Sequence, residues 1–137
     1  MNRALTILLV EDELLNRSLV QAILSRAGDQ RLQTADVREA DTLGAARLSL
    51  AEGTPDVILL DVQLPDGSGL ELARQLRTGS AAADGPLIIA LTAGALPEQQ
   101  AAAIDAGCDA VILKPYTADE FESVLVMHLD HRAGLRG

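Results

Sequence analysis

Five polar side chains stand at the ends of apolar runs. Glu11 and Asp12 follow LTILLV (5 to 10), Asp61 follows DVILL (56 to 60), Thr92 follows PLIIAL (86 to 91), and Lys114 closes AVILK (110 to 114). Their types fit one chemistry. Carboxylates without a nearby His or Cys offer hard oxygens, which suit Mg²⁺, an ion that keeps waters and takes one or two carboxylates together with phosphate oxygens. A carboxylate is also a nucleophile able to form an acyl phosphate. Asp61 is the best placed: it ends the most apolar run and enters VQLPDGSG, whose Pro and Gly residues hold a tight path. A phosphoryl group formed there would need a cation and a hydrogen-bond donor, which Lys114 and Thr92 supply. Lys114 is the only lysine beside ten arginines. A compact ammonium on a flexible stem suits a crowded acidic pocket better than a planar guanidinium does.

The apolar runs read as buried strands, with RLQTA (31 to 35) as a weaker candidate for the second of five. Helical patterns lie between them. Leu15, Leu19, Ala22 and Ile23 share one face of the first, and further stretches fall near 38 to 51, 68 to 78, 97 to 106 and 118 to 131. Gly28, Gly53, Gly79 and Gly107 mark helix stops, and Pro97 and Thr117 mark helix starts. Five strands alternating with five helices require crossover connections, hence an α/β, doubly wound parallel sheet. Ligands of such sheets bind beyond the carboxyl ends of the strands. That edge is where the three carboxylates, the hydroxyl and the ammonium converge.

Composition narrows the alternatives. At 137 residues the chain fits one domain that buries roughly two thirds of its unfolded surface, with no need for metal or disulfide staples. Tyr116 and Phe121 are the only aromatics, so the core is aliphatic. Eleven basic against twenty acidic side chains give a net charge of −9, which opposes direct nucleic-acid binding and contact with anionic lipid. Cys108 has no partner for an internal disulfide, the N-terminus lacks the pattern of a signal peptide, and no run approaches the ~20 apolar residues of a membrane span. The expectation is a cytoplasmic protein.

VEDE (10 to 13), LLDVQLPDGSGLEL (59 to 72), ALTA (90 to 93) and ILKPY (112 to 116), in this order on alternating strands, resemble the receiver domain of two-component response regulators. The resemblance covers roughly residues 5 to 130. It implies a flavodoxin-like sheet of order 2-1-3-4-5 with five helices, a receiver domain over residues 1–130 and a short C-terminal tail over 131–137. It also implies that Asp61 accepts a phosphoryl group from the phosphohistidine of a sensor histidine kinase or a histidine phosphotransfer protein, and loses it slowly by hydrolysis. Asp12 and Asp61 would ligate Mg²⁺, with Glu11 joining through water and the Gln63 carbonyl as a further ligand. Thr92 would be the switch hydroxyl and Lys114 the phosphate-pairing cation. The Lys114–Pro115 bond is commonly cis in this family. Partners of the family dock on the face of the fourth helix, fifth strand and fifth helix, and on the first helix; a weak homodimer is compatible with this. VEDELLNR and IIALTAGALPEQQ resemble receivers attached to hybrid histidine kinases more than those fused to DNA-binding domains. One position departs from the pattern: Val111 stands where the family often has a Tyr or Phe that moves inward as the threonine engages phosphate.

Two rival functions share these residues. A dehalogenase-like phosphohydrolase also uses an Asp nucleophile, Mg²⁺ and a lysine, but needs a second acid two residues after the nucleophile, where this chain has Gln63. A degenerate receiver that serves only as a binding module would have little use for intact Asp12, Asp61, Thr92 and Lys114. Glu11 and Asp12 could cap the following helix as well as hold metal. The remaining candidates read as structural: His128 and His131 lack a companion set and fall on a solvated face, and Cys108 reads as a small buried residue. GSGLEL lacks the third glycine of a dinucleotide fingerprint.

Overall fold

The computed structural model describes residues 3–78 and 85–136. Ten principal elements alternate along the chain: β1 (Thr6–Val10), α1 (Leu14–Ser25), β2 (Asp36–Ala40), α2 (Leu43–Glu52), β3 (Val57–Asp61), α3 (Gly69–Arg77), β4 (Leu87–Thr92), α4 (Pro97–Asp105), β5 (Ala110–Leu113) and α5 (Ala118–Arg136). A single helical turn, Gln30–Gln33, precedes β2, and Gln63–Leu64 pairs antiparallel with Gly67–Ser68 in the loop after β3. The five strands form one sheet of order β2-β1-β3-β4-β5, parallel throughout, so the expected 2-1-3-4-5 topology is observed.

Strands buried on both faces carry apolar residues at consecutive positions, and the two-residue period divides them between two layers. Ile7, Leu9, Val57, Leu59, Leu87, Ile89, Leu91 and Ile112 face one way and pack with Val20, Ile23 and Leu24 of α1 and Phe121 and Leu125 of α5. Leu8, Val10, Ile58, Leu60, Ile88 and Ala90 face the other way, against α2, α3 and α4. Both aromatics lie in the first layer, where the rings of Tyr116 and Phe121 are tilted with centroids 5.1 Å apart. Cys108 is buried in the second layer. Burial pushes its thiol up to about 11, which leaves it an unreactive packing residue.

Two expectations need correction. The second strand is DVREA (36 to 40) rather than RLQTA (31 to 35), part of which forms the helical turn capped by Asp29, whose Oδ1 accepts from the Arg31 N–H at 2.9 Å. The cause is position. β2 lies at one sheet edge with only β1 beside it, and of its residues only Ala40 is buried, so its other side chains need not be apolar. The helix assigned from 38 therefore starts later, at Leu43, where Thr42 caps it by accepting from the Ala45 N–H at 3.0 Å.

The buried face of α1 is also different. Leu15 is 82% and Leu19 46% exposed, and Ala22 is exposed, while Val20, Ile23 and Leu24 are buried. Of the four residues that share one face in the sequence pattern, only Ile23 is buried. Apolar residues cover so much of this helix that two stripes fit a period of 3.6, and sequence alone does not choose between them.

Helix starts at Pro97 and Thr117 are found as expected. Thr117 and Glu120 form a reciprocal cap, with Thr117 Oγ1 accepting from the Glu120 N–H at 3.1 Å and Glu120 Oε1 from the Thr117 N–H at 3.0 Å. The expected stop at Gly79 lies outside the described residues. The last helix continues to Arg136, through the segment expected to be a tail. No helix among the described residues is long and apolar enough to cross a membrane.

The α1 assignment has a direct check in urea denaturation. Leu24→Ala should lower stability by about 2–5 kcal/mol, as for other buried leucines, whereas Leu15→Ser should stay within about 0.5 kcal/mol of the parent protein. Equal losses at both positions would contradict the observed rotation of the helix.

Candidate functional site

The carboxyl ends of β1, β3, β4 and β5 bring Glu11, Asp12, Asp61, Thr92 and Lys114 to one edge of the sheet. All five residues singled out from the sequence thus meet in space, and all except Glu11, which lies beneath, line a cleft of about 920 Å³. Gln63 lines it too. Carboxylate oxygens of Glu11, Asp12 and Asp61 lie within 4.8 Å of one another.

Burial divides this acidic set. Glu11 is 1% and Asp61 6% exposed, whereas Asp12 is open to solvent. Lys114 compensates the two buried charges: its Nζ donates to Glu11 Oε1 at 2.9 Å and to Asp61 Oδ2 at 3.1 Å. Burial alone would lower the ammonium's pKa, but the hydrogen bond to Glu11 and the charge of Asp61 outweigh it and hold the group above its ordinary value. The remaining acceptor positions are also used. Glu11 Oε2 accepts from the Glu13 N–H at 3.1 Å, and Asp61 Oδ1 from the Gln63 N–H at 3.1 Å. Among the described residues, the Asp12 carboxylate has no hydrogen-bond partner.

Backbone contacts fix where these groups can stand. The Lys114 N–H donates to the Thr92 carbonyl at 2.8 Å, which ties the ends of β5 and β4 together, and the Lys114–Pro115 bond is cis. Thr92 Oγ1 accepts from the Gly94 N–H at 2.9 Å and retains its own proton for donation. Arg17 Nη1 donates to the Glu11 carbonyl at 2.9 Å while its Nε pairs with Glu39 at 3.3 Å, so a guanidinium grips the peptide between the two N-terminal acids. Behind Asp61, α3 begins so close that a Cβ at Gly69 would lie 2.2 Å from the Asp61 carbonyl oxygen. Only glycine admits that approach.

Sequence reasoning found the charged groups but missed Arg17, Gly69 and the rim residues Asn16 and Gln99. For Gly69 a signal exists in the GSG triplet, but turn chemistry and the dinucleotide fingerprint do not identify the close approach to Asp61. Arg17 had none, because its partners are the Glu11 carbonyl just after β1 and Glu39 of β2, and their proximity is a tertiary fact.

The donor set fits Mg²⁺. Three carboxylates present hard oxygens without nitrogen or sulfur competitors, one of them exposed with free lone pairs, at an open cleft that leaves room for retained waters and a phosphate. Asp12 and Asp61 line the cleft, whereas Glu11 does not; Lys114 and a backbone N–H engage both Glu11 and Asp61, which leaves Asp12 as the free member of the set.

The family model described as Response regulator receiver domain matches residues 7–126. The KDP operon transcriptional regulatory protein KdpE of Escherichia coli K12 is 38% identical over 119 residues, which are 87% of this chain and 48% of that protein. The aerobic respiration control sensor protein ArcB of the same organism is 36% identical over 122 residues, 89% of this chain and 15% of that protein. This chain thus spans about half, or far less, of the length of these curated relatives. Among solved structures, a CheY-like receiver domain protein from Methanospirillum hungatei JF-1 superposes with a TM-score of 0.81 at 24% identity, covering 96% of this chain and 98% of that one. At that identity the likeness speaks for the fold.

The free carboxylate of Asp12 makes the metal test specific. Asp12→Ala should abolish the amide NMR shifts produced by Mg²⁺ while leaving the metal-free protein as stable as the parent, or slightly more so, because it relieves like-charge repulsion. A strongly destabilised metal-free variant would make Asp12 a structural residue.

Proposed function

This chain belongs to the response regulator receiver domain family, and on that premise we propose that it is a phosphorelay switch phosphorylated on Asp61. The observation that carries this reading is the state of Asp61. Its carboxylate ends a fully buried strand, opens onto the cleft, lies within 4.8 Å of two other carboxylates and is held by a single ammonium. Receiver domains take phosphoryl groups from histidine kinases. The donor proposed here is the phosphohistidine of a sensor histidine kinase or of a histidine phosphotransfer protein.

In the proposed reaction an Asp61 Oδ attacks phosphorus, the P–N bond to the donor imidazole breaks, and the imidazole leaves with its electron pair and takes a proton. Mg²⁺, when bound by Asp12, Asp61 and the Gln63 carbonyl, would offset charge on the phosphoryl oxygens. Lys114 has a role before and after transfer: it pairs with the Asp61 carboxylate and then with the phosphoryl oxygens. Thr92, with a free hydroxyl proton at the neighbouring strand end, would donate to another of these oxygens. Hydrolysis would be slow, because the position that a phosphohydrolase gives to a second acid is Gln63, an amide without general acid–base capacity.

The acceptor and the cation are tested separately. Acetyl phosphate with Mg²⁺ should label the protein with one phosphoryl group, seen by intact-mass spectrometry. Asp61→Asn should take up none, and Thr92→Ala should still be labelled. Rapid multiple turnover would favour a phosphohydrolase, and absence of label a binding module. Lys114→Arg should remain folded yet lose the beryllofluoride-induced NMR shifts around Thr92. Its planar fork does not reproduce one nitrogen at 2.9 Å from Glu11 and 3.1 Å from Asp61. A wild-type response from Lys114→Arg would remove any mechanistic weight from the choice of lysine.

A further inference from the structure

The loop leaving Asp61 is fastened at a point remote from the carboxylate cluster. Asp66 directs its carboxylate at the start of α2, where Oδ1 accepts from the Leu43 N–H at 2.8 Å and Oδ2 from the Gly44 N–H at 3.0 Å. Neither donor has an acceptor within the helix, and the positive end of the helix dipole favours an anion there. Those two bonds, first from Leu43 and then from Gly44, hold the Asp66 carboxyl below the usual carboxylate range. The helix has its own cap in Thr42, which serves the Ala45 N–H. Asp66 therefore adds a link between elements.

Packing reinforces that link. Gly67 adopts φ +147°, with the place of a Cβ only 3.0 Å from Leu43 Cδ1, and Leu43 is itself buried. From Asp66 the path back to the site is short. Gly67 and Ser68 pair with Leu64 and Gln63, and the Gln63 N–H donates to Asp61 Oδ1 at 3.1 Å. α2 itself contributes no side chain to the cleft.

We infer that Asp66 is a positioning residue for the phosphoacceptor site: bound to the N-terminus of α2, its carboxylate fixes the loop that carries Gln63 and so sets the affinity for Mg²⁺ without touching the ion. This rests on the receiver reading above, in which the Gln63 carbonyl is a metal ligand. Residues that orient metal ligands change affinity by about 10–100-fold when mutated. An anchor acting through the backbone is expected at the lower end, roughly tenfold.

Three substitutions test it: Asp66→Ala, Asp66→Asn and, as a control at the same helix terminus, Thr42→Ala. Mg²⁺ affinity is read from amide NMR shifts, metal-free stability from Tm, and the link itself from hydrogen exchange at the Leu43 and Gly44 amides. Both alanine variants should lower Tm, since each leaves α2 donors unserved. Only Asp66→Ala should weaken Mg²⁺ binding, by roughly tenfold, with faster exchange at Leu43 and Gly44 and with Asp61 labelling restored at saturating Mg²⁺. Asp66→Asn keeps one acceptor oxygen and should fall between Asp66→Ala and the parent; it carries the same comparison if Asp66→Ala does not fold. Unchanged Mg²⁺ affinity in the Asp66 variants, or equal weakening by Thr42→Ala, would overturn the inference. A parent protein that takes up neither Mg²⁺ nor phosphoryl would overturn the receiver reading, a distinguishable result.

Discussion

Two carboxylates buried side by side set the terms for the acceptor edge. Glu11 and Asp61 are nearly inaccessible, and an unpaired charge in such a place costs several kcal/mol, so a cation has to reach both. Lys114 is that cation. It starts from the end of β5, separated by β4 from β3, so it must cover two strand spacings of roughly 5 Å each to approach Asp61. A long, flexible stem with a compact head does this, helped by the reach of the Asp61 side chain towards it. The order of the strands, the tie between the Lys114 N–H and the Thr92 carbonyl, and the close passage of Gly69 behind Asp61 all serve to place three atoms. The same arrangement leaves Asp12 exposed and, among the described residues, without a hydrogen-bond partner.

How far the sequence could be read depended on whether a signal was local. β1, β3 and β4 are buried on both faces, which forces consecutive apolar residues, and β5, although at the sheet edge, keeps an apolar run with Ile112 buried, so the ends of all four are conspicuous. Because charged groups have no place within such strands, the polar residue that terminates each run had to stand at the carboxyl edge. That is why Asp61, Thr92 and Lys114 were legible. β2 is an edge strand with polar side chains, and its composition resembles a loop. α1 offered two apolar stripes, and the choice was made by tertiary geometry: the helix follows directly from Asp12 with Arg17 turned to the Glu11 carbonyl and Glu39. The links through Arg17 and Asp66 were illegible for the same reason, since each joins residues that only folding brings together.

Val111, in the place where an aromatic ring was the family expectation, lies between chemistry and signalling. It is partly buried and packs against the layer that contains Ala103, Ala106 and Cys108, on the side of α4. A ring there would couple inward motion of Thr92 to a large displaced volume, because close-packed interiors transmit volume changes. A valine has no aryl group to swing. Around it the loop after Thr92 is Ala93-Gly94-Ala95, which carries little side-chain bulk, and the Thr92 hydroxyl is engaged by the Gly94 N–H rather than by a core group.

The Thr92 hydroxyl is thus held by a single loop amide. The acceptor cluster differs on this point: Glu11 and Asp61 are each fixed by two hydrogen bonds besides their place on the sheet. In the reading proposed above, holding a phosphoryl group and reporting it thus rest on separate sets of contacts. The first set is tightly constrained. In that reading the second acts through the backbone of the β4–α4 loop, where the Gln99 side chain accepts from the N–H of the exposed Leu96 at 3.2 Å.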